Sequence, residues 1–325
     1  MPANLPPQYY EAEEVYRNAQ TPEEKISALK EMLSIMPKHK GTEKLQADLK
    51  KRISNAKEEK KKKSKSKSTY NPYLIDKEGA GQVILLGYPN VGKSNIVDIL
   101  SNAKVEVANY PFSTTLPKAG MVEYEDIQIQ LIDTPPLVPE DVPGQMISAI
   151  FHADYITIVV DLAAENCLDQ LFEIIEFLKE KRLIREEIPE NVKGYYLEDI
   201  LVLATKIDLE DFEENLEVIK DLYPNLLVLE ISNQSGKNVE KIPQILFEKL
   251  DIIRVYSKAP GKEADYDRPF VLNKESTVLD FAQLVHKDFA KNLKKARIWG
   301  SAKFDGQPVS KDHVLKDQDV VELHI

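Results

Sequence analysis

Val83-Ile84-Leu85-Leu86 runs directly into Gly87-Tyr88-Pro89-Asn90-Val91-Gly92-Lys93-Ser94-Asn95. A short apolar run that gives way to Gly-x4-Gly-Lys-Ser and then to a helical pattern reads as a buried strand, a phosphate-cradling turn and a helix N-terminus. The glycines let the backbone curl so that its N–H groups surround phosphate oxygens, and the helix adds the positive end of its dipole. Lys93 brings a point charge. Ser94 offers a hydroxyl to a Mg²⁺ ion that bridges the terminal phosphates of a nucleotide.

Outward from this turn, short apolar runs alternate with helical stretches, the pattern of a mainly parallel α/β sheet with helices on both faces. Strands are predicted at 83–86, 127–132, 156–160, 200–204 and 226–231, with helices near 93–102, 165–182, 211–221 and 238–250. The loops Ser113 to Lys118 and Thr134 to Gly144 fall at the C-terminal side of strands, where ligands bind in open α/β sheets. Asp133 ends the alternating strand Ile127 to Ile132 and fits a carboxylate that holds Mg²⁺. Within Tyr110-Pro111-Phe112-Ser113-Thr114-Thr115, Thr114 is the expected metal-sensing switch threonine, with Thr115 as the competing choice.

Thr205-Lys206-Ile207-Asp208 follows the strand 200–204. The Asp208 carboxylate can accept from both N1–H and the 2-amino group of guanine, whereas adenine offers neither, so GTP and GDP are the expected ligands. Lys206 would lay its aliphatic stem on the base, and Ser232, Asn233 and Gln234 would close the far edge.

The 325 residues suffice for about two domains at ~150 residues each. A single cysteine, Cys167, excludes an intrachain disulfide and a Cys-x-x-Cys pair, and is expected to be a packing residue. The N-terminus lacks the apolar core of a signal peptide and no apolar run approaches membrane-spanning length, so a cytoplasmic protein without membrane contact is expected. The net charge of −11 is uneven: Lys50 to Ser68 holds ten Lys or Arg against Glu58 and Glu59, a local +8 that leaves −19 elsewhere. That run is either a solvated linker or a phosphate-binding arm.

Before it, residues 9–36 and 43–53 carry apolar residues at helical spacings, with Thr21, Pro22 and Glu24 arranged as an N-cap, N1 proline and capping box. After Tyr256 comes a loop, Ser257 to Arg268. A strand starting at Phe270, a helix from Thr277 to Phe289, a strand at 296–299, a turn at 305–308 and a last strand 320–325 then suggest a small β-grasp module. Trp299 is expected in its core or rim, with stacking on RNA as the alternative. The expected domains are thus a helical region with basic linker at 1–69, a P-loop domain at 81–254 and the β-grasp module at 255–325.

The stretches GYPNVGKSN, NYPFSTTLPKAG, DTPP, TKID and the C-terminal module resemble the Obg-related GTPases, within them the developmentally regulated GTP-binding proteins, whose C-terminal module is a TGS domain. The resemblance spans 81–325 and implies a translation-associated GTPase, monomeric or factor-bound, that meets the ribosome, rRNA or tRNA through the basic arm 50–68 and the TGS domain. It also implies that Asn90 matches the asparagine with which potassium-dependent members hold K⁺. Two departures stand out. Proline replaces the family's glycine at Pro136 of Asp133-Thr134-Pro135-Pro136 and has no N–H for the γ-phosphate, and Leu137 stands where many GTPases place a water-orienting glutamine. Slow hydrolysis is expected, and no catalytic residue is assigned. A nucleotide-stabilised RNA- or ribosome-binding scaffold with negligible hydrolysis is the alternative.

Overall fold

The computed structural model describes residues 6, 8–9, 12–13, 16, 22–36, 42, 46, 48–54, 71–101, 116–189, 192–210 and 212–324. Thr21, the arm from 55 onward, Thr114 and Thr115 lie outside the described residues. The chain divides into two units, Met1–Asn71 and Pro72–Ile325. In the first, helix α1 (Pro22–Ile35) and helical residues 48–54 bring Leu29, Met32, Leu49 and Ile53 together with Tyr9 and Ala12 in one small core. Leu49 and Ile53 point inward at i, i+4, which leaves Lys50, Lys51 and Arg52 exposed.

The second unit holds two sheets. The larger contains β1 (Gln82–Leu86), β2 (Lys118–Tyr124), β3 (Ile127–Asp133), β4 (Tyr155–Asp161), β5 (Leu201–Thr205) and β6 (Leu227–Glu230), in the order β2-β3-β1-β4-β5-β6. All neighbours are parallel except the β2–β3 hairpin, an edge strand that the sequence reading omitted. Strands such as β1, buried at every position and apolar after Gln82, are what a sheet covered on both faces requires. One face packs against α3 (Gly144–His152), α4 (Cys167–Glu180) and α5 (Phe212–Leu222), and the other against α2 (Lys93–Leu100) and α6 (Ile242–Lys249). Helix α3 was not anticipated, because Pro143 and Gly144 read as loop while they in fact open its first turn. Cys167 is buried in the first of these faces, and burial pushes its thiol up to about 12, consistent with a packing role.

The smaller sheet contains β7 (Ile252–Lys258), β8 (Ala264–Asn273), β9 (Lys295–Trp299), β10 (Gln307–Val309) and β11 (Asp319–His324), in the order β10-β9-β11-β7-β8. The first and last strands lie parallel and adjacent at its centre, the arrangement of a β-grasp. The module opens at Ile252, and Phe270 lies inside its second strand rather than starting the first. The stretch 257–268 looked like one loop because of its glycine, proline and charges, yet only 259–263 forms the turn of the β7–β8 hairpin. The expected single helix from Thr277 to Phe289 is two, α7 (Val278–Val285) and α8 (Lys287–Asn292). His286 between them is extended, and its Nδ1 accepts from the Asp288 N–H to cap the second. Trp299 is half-buried, with the Lys258 ammonium 4.6 Å from its ring centroid and Gly306 packed close to its indole.

Candidate nucleotide-binding site

The glycine-rich turn leaves β1 at the point where the strand order reverses, between β3 and β4. Gly87 is tight against the neighbouring strand: a Cβ there would lie 2.5 Å from the Val159 carbonyl oxygen. Asn90 and Gly92 adopt left-handed conformations with φ of 62° and 98°, which curl the backbone into a concave loop. A Cβ on Gly92 would also meet Asn233 Nδ2 at 2.7 Å. Helix α2 follows at once with no side-chain cap, so its first N–H groups remain open to an anion.

The Lys93 ammonium is buried and donates to the carbonyls of Gly87 and Tyr88 at 2.8 and 2.9 Å. An ammonium has three protons. Two brace the loop and one is left for a phosphate. Burial lowers the Lys93 pKa to about 8, against the pull of Asp133 in the other direction. The Gly87 carbonyl also accepts from the Leu137 N–H at 3.0 Å. Leu137 itself is fully buried in the core.

Ser94 Oγ donates to Asp133 Oδ2 at 2.6 Å. Burial raises the Asp133 pKa, with Ser94, Lys93 and Lys118 acting in opposition. Asp133 Oδ1 is buried and has no hydrogen-bond partner. A hydroxyl beside a half-satisfied buried carboxylate suits a hard divalent cation that takes oxygen ligands. Among the described residues no group of three His, Cys, Asp or Glu could hold a metal by itself, as expected where phosphates supply the remaining ligands.

The residues expected to read the base are tied to the same loop. Thr205 Oγ1 donates to the Val91 carbonyl at 2.8 Å and is also within hydrogen-bond range of the Val160 carbonyl, while Asn233 Nδ2 donates to the Gly92 carbonyl at 3.2 Å. Asp208 is exposed and accepts from Ser232 Oγ, which fixes one of its carboxylate oxygens. Lys206 sits at φ 66° and donates to Asp161 Oδ2 at 2.5 Å, so its stem is held straight. Gln234 and Asn95 are exposed and take no bond in this framework. The anticipated residues therefore lie at four strand ends, those of β1, β3, β5 and β6, apart from the undescribed threonines. Asp161, the Thr205 hydroxyl and the Leu137 N–H were missed; only Asp161, an acid closing the buried strand Tyr155–Asp161, carried a visible signal.

Residues 82–189 match the family described as 50S ribosome-binding GTPase, and residues 253–325 match the TGS domain. An uncharacterized GTP-binding protein of Methanocaldococcus jannaschii is 30% identical, with 93% of each chain covered. Developmentally-regulated G-protein 2 of Arabidopsis thaliana is 28% identical, over 77% of this chain and 78% of its own. The solved structure of the Schizosaccharomyces pombe YchF GTPase superposes with a TM-score of 0.51 at 12% identity, over 77% of this chain and 99% of that one, a likeness of fold. No helix among the described residues is long and apolar enough to cross a membrane.

Proposed function

Because the chain belongs to the Obg-related, developmentally regulated GTP-binding proteins with a TGS domain, we propose that it is a Mg²⁺-dependent GTPase that hydrolyses GTP slowly and switches association with a ribosomal or other RNA-containing partner. The observation that carries this reading is the direct tie between the phosphate loop and the base loop through Thr205 and Asn233. The groups that would read the base and those that would hold the phosphates are thereby kept at a fixed separation, which is positioning achieved before binding.

In this reading the N–H groups of the loop and of the first turn of α2 hold the phosphates, and the third proton of Lys93 joins them. Ser94 and Asp133 hold the Mg²⁺, with Thr114 or Thr115 as the switch ligand. Bound there, Mg²⁺ would supply charge neutralisation for the phosphates. Asp208 accepts from guanine, Lys206 covers the base, and Ser232, Asn233 and Gln234 line its far side. Asn90 holds a potassium ion. The residues past Asp133 support slow hydrolysis in this reading: Pro136 has no N–H, the Leu137 N–H is spent on Gly87, and the Leu137 side chain is in the core, so none of them is placed to orient water. The same facts favour a second reading, a nucleotide-stabilised scaffold with no significant hydrolysis.

Equilibrium titration with labelled GDP and ADP in Mg²⁺ tests the binding half of the proposal. Preference for GDP by orders of magnitude is expected, and equal affinities would overturn the assignment of Asp208.

A further inference from the structure

The ten residues from Thr134 to Pro143 join β3 to α3 beside the phosphate loop. Four are prolines, at 135, 136, 139 and 143, and Thr134, Val138 and Val142 each precede one. A proline fixes its own φ and keeps the residue before it extended, so seven of the ten have a narrowed backbone. Val138 and Val142 are extended accordingly, with φ of −109° and −83°.

Both ends and the middle of this segment are anchored. Thr134 is buried, and its Oγ1 donates to the Leu85 carbonyl of β1 at 2.5 Å. The Leu137 side chain is fully buried with Met146 and Ile150 of α3, and its N–H donates to the Gly87 carbonyl at 3.0 Å. The Pro143 carbonyl accepts from the Met146 and Ile147 N–H groups at 2.9 and 3.1 Å. Lifting the segment would take a leucine out of the core and strip a bond from the base of the phosphate loop. The same anchors consume the donors. Pro135 and Pro136 have no N–H, the Leu137 N–H and the Thr134 hydroxyl are engaged, and the exposed Glu140 and Asp141 are acids. From Pro135 to Leu137 an added γ-phosphate finds no free backbone donor. A ligand shifts a conformational equilibrium only through its differential affinity for the two states.

We infer that residues 134–143 form a fixed strap that keeps one conformation whether GDP or GTP is bound, and that Pro136 sets this indifference by withholding a donor from the γ-phosphate. This rests on the nucleotide reading above and narrows it. The response to the γ-phosphate falls to the other side of the site, where that reading places a threonine ligand. The strap serves both nucleotide states alike, as a brace for the Gly87 end of the phosphate loop.

The test is hydrogen exchange, read by mass spectrometry, on the full chain with Mg²⁺ and either GDP or the β,γ-imido analogue of GTP. Peptides within 134–143 should exchange at rates that agree within about two-fold between the two nucleotides, because no γ-phosphate contact alters their opening. Pro136 is exposed, so Pro136→Ala and Pro136→Gly each supply an N–H without disturbing the core, the first without glycine's added freedom. Each should raise the affinity for the imido analogue relative to GDP by about 10- to 100-fold, the range of one hydrogen bond to a charged group. Each should also slow strap exchange with the analogue relative to GDP. A difference of about ten-fold or more between nucleotides in the unsubstituted strap would overturn the inference. So would an affinity ratio that neither substitution moves. GDP should protect the peptide 87–95 in every variant; absence of that protection would instead overturn the nucleotide reading, and the inference with it.

Discussion

Replacing Arg254 tests how the two sheets of the larger unit are joined. This guanidinium is 3% exposed. It lies 2.7 Å from Asp126 Oδ1, makes two bonds to Asp317 at 2.7 and 3.1 Å, reaches Glu125, and stacks 4.9 Å above Phe247. Glu125 and Asp126 belong to the β2–β3 turn and Asp317 to the β-grasp module, so one side chain pins the module to the hairpin that ends at Asp133. Removing one partner of a fully buried pair costs about 3–5 kcal/mol.

That figure is an upper bound here. Glu125 is half exposed and returns to water at almost no cost. Asp126 keeps the Tyr256 hydroxyl, and Asp317 keeps the residue-254 backbone N–H at 2.7 Å. Arg254→Met preserves the apolar stem and loses the cation–π term of about 0.5–1 kcal/mol. The expected net destabilisation is about 2–3 kcal/mol, and about 1–2 for Arg254→Lys, which keeps the charge and loses the fork. Urea unfolding followed by fluorescence measures it at the module, because Trp299 is the single tryptophan of the chain. A loss below about 0.5 kcal/mol for Arg254→Met, the range of an ordinary surface change, would refute the reasoning.

Three further outcomes follow from the site. Burial lowers the Lys93 pKa to about 8, so between there and its unfolded value the unfolded chain holds the extra proton, and this lysine makes stability rise with pH across that window. Phosphate should restore the charged form, and GDP binding near pH 8.5 should therefore take up a proton, which calorimetry in buffers of different ionisation enthalpy detects; zero uptake contradicts the placement of Lys93. Asp208→Asn should weaken GTP by about 2–4 kcal/mol, roughly 30- to 1,000-fold, while sparing xanthosine triphosphate, whose 2-oxo group accepts from the new amide. A GTP affinity within a few-fold of the parent removes Asp208 from base recognition. Potassium should accelerate turnover more than sodium, and Asn90→Ala should erase the difference; a difference that survives the substitution assigns the cation to other ligands.

Local signals were legible in the sequence and distant ones were not. Gly87 to Ser94 declares itself because strand, turn and helix N-terminus are contiguous, Asp133 because it closes a buried strand, and Asp208 because it stands in the turn directly after one. Edge strand β2 went unseen: Lys118–Tyr124 contains Gly120 and two charges, and its strand character comes from pairing with β3 and from Gly120 admitting Val97 and Ser101 of the P-loop helix region. The Arg254 clamp joins residues 128 and 63 positions apart, a relation that no window along the chain contains. The Leu137 N–H bond to Gly87 was invisible for a different reason, since a backbone donor leaves no mark on residue identity.

The central claim, a guanine-specific and slow hydrolytic switch, meets its most direct test in single-turnover hydrolysis with Mg²⁺ and K⁺, using GTP and ATP, with and without ribosomes. The expected result is slow conversion of GTP alone, faster with ribosomes, and no conversion of ATP. Conversion of ATP at a rate equal to GTP would contradict the reading of Asp208, and GTP left intact under every condition would contradict the switch and leave the scaffold in its place.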